Sequence, residues 1–149
     1  MRIISVGKQH ESWLRPGIER YSQRLRPPFT AEWVLVPHST LRGVAARQAE
    51  SRQILQRIRS NEYVVLLDET GQQFSSPQLA AHIERRLAQR PVVLVIGGAY
   101  GVDETVHARA DMVWSLSRLV LPHMLVRLVL IEQLYRAQEI CRGGPYHHS

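Results

Sequence analysis

Three short stretches in the second half of the chain set glycine, hydroxyl and carboxylate groups directly behind apolar runs. They are Leu67-Asp68 in "LLDETG", Gly97-Gly98 in "VVLVIGGAYG", and Ser117 to Pro122 in "SLSRLVLP". Each apolar run reads as a strand, so each polar stretch marks a strand's carboxyl end, where open α/β sheets bind ligands. Gly97, Gly98 and Gly101 let backbone approach a ligand closely. Three such loops meeting at one edge make a pocket with apolar walls and many backbone hydrogen-bonding groups, which suits an adenine ring better than a phosphate. No phosphate fingerprint is present: "VGKQHESW", after the first strand, holds one glycine, and there is no Walker A sequence. The histidines are scattered and Cys141 is alone, so no metal site is expected. Glu132 and Arg136 stand four apart with the acid first, the order that favours an ion pair on a helix.

The elements that must position these residues follow from periodicity. "RIISVGK", "EWVLVP", "YVVLLDETG", "PVVLVIGGAYG" and "MVWSLS" read as five strands, and "YVVLLDETG" runs into a turn. Between them, "ESWLRPGIERYSQRL" and "RGVAARQAESRQILQRIRSN" carry apolar residues at helical spacing, and "VDETVHARAD" is a short helix. In "SSPQLAAHIERRLAQR", Ser76 is expected to cap and Pro77 to take the first helical position. A last helix runs from about His123 to Cys141. Strands that alternate with helices, several of them apolar throughout, predict an α/β fold, a mostly parallel sheet with helices on both faces, in a single domain over residues 1–149.

The last helix carries more apolar surface than one buried face needs. Met124, Leu128, Ile131 and Leu134 lie on one side; Leu125 and Val129 lie with Glu132 and Arg136 along another. A second protomer is the expected cover, so the chain is read as a homodimer through this helix. His123, Arg127 and Glu132 interrupt the longest apolar run, which is therefore read as buried protein and not as a membrane span. "RIISVGK" has no signal-peptide character and the one cysteine suits a reducing compartment, so a cytoplasmic location is expected.

Charge is divided unevenly. Residues 1–60 hold ten Arg and Lys8 against four Glu, a balance of +7; residues 61–149 hold eight Arg against nine acids, a balance of −1. Arginine grips phosphate with a planar fork, so the basic half is a candidate footprint for an anionic polymer, with Arg20, Arg24 and Arg52 among its contacts. The plainer reading is a set of solvated helix faces.

"LLDETGQQFSSPQLA", "VIGGAYG", "WSLSRLVLPHMLVRLVLIEQLYRAQ" and the ending "PYH" together resemble the RlmH family, the small bacterial SPOUT-class methyltransferases of the ribosomal large subunit. The likeness covers the length, the motif order and both ends, and is most specific from Ser115 to Ala137. It implies a SPOUT-type α/β knot, with the C-terminal segment threaded through a loop, and a homodimer. It implies S-adenosyl-L-methionine as cofactor, held by Leu67, Gly98, Ser117, Arg118, Leu119, Val120, Leu121 and Pro122. The implied substrate is a pseudouridine of 23S rRNA, methylated on N3 in the assembled 70S ribosome.

That chemistry needs an acceptor for the N3 proton and groups to hold the uracil ring. His123, at the end of the cofactor loop, is the candidate acceptor; a structural histidine at a helix start is the alternative. Arg136 and Glu132 are candidates for orienting substrate or tail, against a simple salt bridge. Through the resemblance alone, Tyr146 and His147 of the tail are assigned to the flipped nucleotide. The sequence departs from the family at His148, where a basic residue is usual, and at Tyr100. Two further classes remain open: a non-catalytic rRNA-binding or ribosome-assembly factor, and a small nucleotide-binding domain using Gly97-Gly98.

Overall fold

A computed structural model describes residues 1–147. Five strands form one parallel sheet: β1 (Arg2–Val6), β2 (Glu32–Val36), β3 (Tyr63–Gln72), β4 (Val92–Ile96) and β5 (Met112–Trp114), in the order β2-β1-β4-β3-β5. The helices are α1 (Arg15–Ser22), α2 (Gly43–Leu55), α3 (Ser76–Leu87), α4 (Glu104–Arg109) and α5 (His123–Cys141).

Strand side chains alternate between two cores. Ile3, Val65, Leu94 and Ile96 face a layer containing Ile18 of α1, Leu79 and Ile83 of α3, and Leu130, Ile131 and Leu134 of α5. Their neighbours Ile4, Val64, Leu66, Val93 and Val95 face Ile54 of α2 and Val106 of α4. Both faces are covered, which is why the stretches Ile3-Ile4, Val64-Val65-Leu66 and Val92–Ile96 are apolar without alternation in sequence.

Two boundaries differ from expectation. Ser75, not Ser76, caps α3: its hydroxyl accepts from the Gln78 amide while the Gln78 side chain accepts from the Ser75 amide, a reciprocal capping box. Pro77 is therefore second in the helix, and Ser76 is free to donate to Gln133 of α5 at 3.1 Å. The expected turn after Leu67 lies inside β3. The strand pairs with β5 through Leu67, swells outward, and pairs again at Gln72 with Trp114. Within the swelling the Thr70 amide donates to Asp68 at 2.9 Å. A side chain at Gly71 would run into the backbone of Val113 and Trp114, so only glycine lets the strand return to its neighbour.

Helix α5 lies against both α1 and α3. Its inner stripe is Met124, Arg127, Leu130, Ile131, Leu134, Ala137 and Gln138. Leu128, expected on that stripe, is half-buried instead and meets Gly17 of α1. Leu125, Val126 and Val129 stay half-buried as well. No helix among the described residues is long and apolar enough to cross a membrane.

Candidate active site

The carboxyl ends of β4, β3 and β5 lie side by side and open into a cavity of about 680 Å³. β3 supplies Leu67 and the swelling from Asp68 to Thr70. β4 supplies Ile96 and the run Gly97 to Val102. β5 supplies Trp114, Ser115, Leu116, Ser117 and Leu119 to Leu121. His123 and Val126 close it from the first turn of α5, and Arg47, Glu104 and His107 from the other helix layer.

Local sequence explains the walls. Gly97 to Gly101 fold into a tight turn in which the Gly101 amide donates to the Gly98 carbonyl at 3.0 Å, and Gly101 holds a φ of +70°. Gly98 is buried, and a side chain there would meet Glu50 Oε2 and Val6. Asp103 caps α4 through the amides of Thr105 and Val106 and fixes the far side of that turn. On the β5 side, the Ser115 hydroxyl donates to the Ser117 carbonyl at 2.8 Å, and Ser117 Oγ accepts the Leu119 amide at 2.9 Å. Pro122 is the N-cap of α5, and its carbonyl accepts the Val126 amide. Leu119 and Val120 remain 73% and 80% exposed, an unusual placement for aliphatic side chains that a ligand or second protein surface would cover.

Of the eight expected cofactor positions, Leu67, Gly98, Ser117, Leu119, Val120 and Leu121 line this cavity. Arg118 and Pro122 are exposed and lie outside its lining. Tyr100 lines it and is 49% exposed.

His123 is half-buried. Burial, then the neighbouring Arg127 and His38, push its pKa below the ordinary histidine value, so the imidazole is neutral at neutral pH. Across the cavity, the His107 Nε2 stands 3.5 Å from Asp68 Oδ2. Among the described residues no group of three His, Cys, Asp or Glu side chains could hold a metal ion.

Glu132, Arg136 and Tyr146 come together, but elsewhere. Arg136 donates to Glu132 Oε1 through both Nε (3.1 Å) and Nη2 (2.6 Å). Tyr146 donates to the same oxygen at 3.2 Å, accepts from Tyr21, and lies under the Arg136 guanidinium 4.8 Å from its ring centre. Burial, the Tyr21 hydroxyl and the Glu132 carboxylate push the Tyr146 pKa up, so the phenol stays protonated. His147 is half-buried and its Nδ1 has no partner among the described residues. None of these four residues borders the cavity of the same chain. His148 lies outside the described residues.

Arg127 escaped the sequence reading except as an interruption in an apolar run. It is fully buried and spans from α5 to the end of β1, donating to Ser5 Oγ (2.9 Å) and to the carbonyls of Val6 (2.6 Å) and Gln9 (2.9 Å), and lying 3.1 Å from His10 Nδ1. Burial lowers its pKa from the usual arginine value. Glu50 was also missed, because one Glu in a polar helix reads as solvated.

The family model described as "Predicted SPOUT methyltransferase" matches residues 1–147. The chain belongs to the SPOUT methyltransferase family. The proteins it is similar to carry the name "Ribosomal RNA large subunit methyltransferase H". That from Geobacter metallireducens is 43% identical over 154 residues, covering 100% of this chain and 99% of the relative. That from Gloeobacter violaceus is 38% identical over 150 residues, covering 100% and 99%. That from Pseudomonas fluorescens is 40% identical over 153 residues, covering 99% and 98%. SPOUT membership agrees with the all-parallel sheet and with a ligand cavity at its carboxyl edge.

Proposed function

We propose that the protein methylates N3 of a pseudouridine in 23S rRNA of the assembled 70S ribosome, with S-adenosyl-L-methionine bound at the carboxyl ends of β3, β4 and β5. The observation that carries this reading is the cavity itself, with Leu67, Gly98 and the Ser117–Leu121 loop on one wall system. Its volume falls in the range of small-ligand sites, roughly 300–1,000 Å³. Leu67, Ile96, Leu116 and Leu121 offer an apolar slot for a ring, and the glycine turn and serine-rich loop offer backbone groups to a nucleoside's edges. Asp68, Glu69 and Glu104 place carboxylates at its border, suited to a cationic sulfonium and ammonium. These residues fit the cofactor, which when bound supplies an electrophilic methyl group.

The chain's own work is to bring N3 into line and take its proton. His123 stands at the cavity, neutral, and is the acceptor. Glu132, Arg136 and Tyr146 form the platform that orients the nucleotide, with His147 beside them. Because that platform lies off the cavity of its own chain, a partner's cavity is the natural place for it to act, and the half-buried outer face of α5 is the dimer surface. The segment from Ser115 to Pro122 is the knot loop. Arg20, Arg24 and Arg52, all exposed, meet the rRNA backbone.

The test offers radiolabelled S-adenosylmethionine and 70S ribosomes, 50S subunits or naked 23S rRNA from a strain lacking the modification. Label on one pseudouridine, mainly in 70S ribosomes, is expected. Cofactor binding without label on any of the three would overturn the substrate assignment. Ribosome binding without cofactor binding would leave a non-catalytic rRNA-binding protein.

A further inference from the structure

Behind the cavity, on the side of β1 and β2, lies a second set of titratable groups that proton abstraction by His123 does not by itself use. Glu50 of α2 is 4% exposed. Its Oε1 accepts the Ser39 amide at 3.0 Å, while Oε2 is buried without a partner among the described residues, directly beneath Gly98. A half-satisfied buried carboxylate is costly. His38, in the loop after β2, puts Nδ1 4.0 Å from Glu50 Oε1 and is half open to solvent. The His38 ring also stands edge-on to that of His123, with centroids 6.0 Å apart. The order is therefore cavity, His123, His38, solvent, with Glu50 beside His38.

We propose that His38 receives the proton His123 takes from the substrate and passes it to solvent, with Glu50 as the positioning residue that holds His38 for this. The inference rests on His123 being the acceptor. In the step, the N3 proton moves to an imidazole nitrogen of His123. It then moves to His38, directly or through one solvent molecule, and from His38 to bulk water, which restores neutral His123. Glu50 stabilises the transient His38 cation.

The surroundings favour that exit. The charged groups facing His123 are Arg127 from its own helix, Glu11 from the segment after β1, His38, and Glu50 from α2, with Arg47 on the cavity wall. Arg127 is a fixed cation one turn away and repels a proton held on His123. Glu11 is exposed and already accepts from the Trp13 indole at 2.6 Å. His38 is the one of these groups that can both accept a proton and release it to water.

The test combines pH–rate profiles with histidine NMR titrations on the full-length protein. His38 lowers the His123 pKa and Glu50 raises it. His38→Asn should therefore move the acid limb of kcat, and the His123 titration, to higher pH. Glu50→Gln should move both to lower pH. His38→Ala should lose roughly tenfold in kcat with little change in KM, and added imidazole should restore it. Unmoved limbs and titrations in both variants, with His123→Asn inactive, would overturn this inference alone. A fully active His123→Asn would instead overturn the acceptor reading beneath it.

Discussion

Arg127 is a cation whose partners are a hydroxyl, two carbonyls and a ring nitrogen. The Val6 carbonyl and the Ser5 hydroxyl belong to the end of β1, and without the guanidinium both would lose a buried partner. Arg127→Ala should therefore destabilise the fold by about 3 kcal/mol or more, read from urea unfolding. Arg127→Lys should recover only part, because an ammonium cannot span the same fork. In the sequence, Arg127 and His123 looked alike, as polar breaks in an apolar run. Only three dimensions separate a side chain that ties the core from one that faces a cavity. Glu50 was hidden for the opposite reason: its burial comes from β1, β2 and the glycine turn, none near it in sequence. The glycine turn and Ser117 were legible, because glycine and serine behind apolar strands have a local cause.

Elements were legible where their signals are local. Pro122 before an apolar helix marked the start of α5 at His123, where the structure has it. Ser75 and Ser76 are both acceptable caps before Pro77, and the choice depends on Gln78 reaching back to Ser75. Ser75→Ala should accordingly cost about 1 kcal/mol in thermal or urea unfolding. Ser76→Ala, which loses only its bond to Gln133, should cost less. The swelling of β3 was not legible, since it depends on Trp114 of another strand returning to Gln72. At the C-terminus, deleting residues 146–149 should abolish methyl transfer while sparing cofactor binding, because Tyr146 stands apart from the cavity. A labelled-cofactor transfer assay beside calorimetric titration of adenosylhomocysteine measures both.

Across the whole molecule, the parallel sheet and its two helix layers followed from apolar runs alternating with helices. The strand order did not, because no local feature says that β4 enters between β1 and β3. The outer face of α5 keeps Leu125 and Val129 half-buried beside Glu132 and Arg136. Light scattering at micromolar protein should accordingly give twice the mass of the 17.1 kDa chain. Charge pairs on that face should be replaceable more cheaply than Leu125 or Val129.

The pairing of β1 with β4, and the reach of Arg127 to Ser5 and Val6, join the first strand to segments made about ninety and one hundred and twenty residues later. During synthesis, therefore, the amino-terminal strand emerges long before the groups that complete it. Its hydroxyl and carbonyl wait on α5, which is made after the other nine elements among the described residues. The nascent chain keeps an open, apolar strand edge until β4 has emerged, and the core cannot close before α5 has followed it.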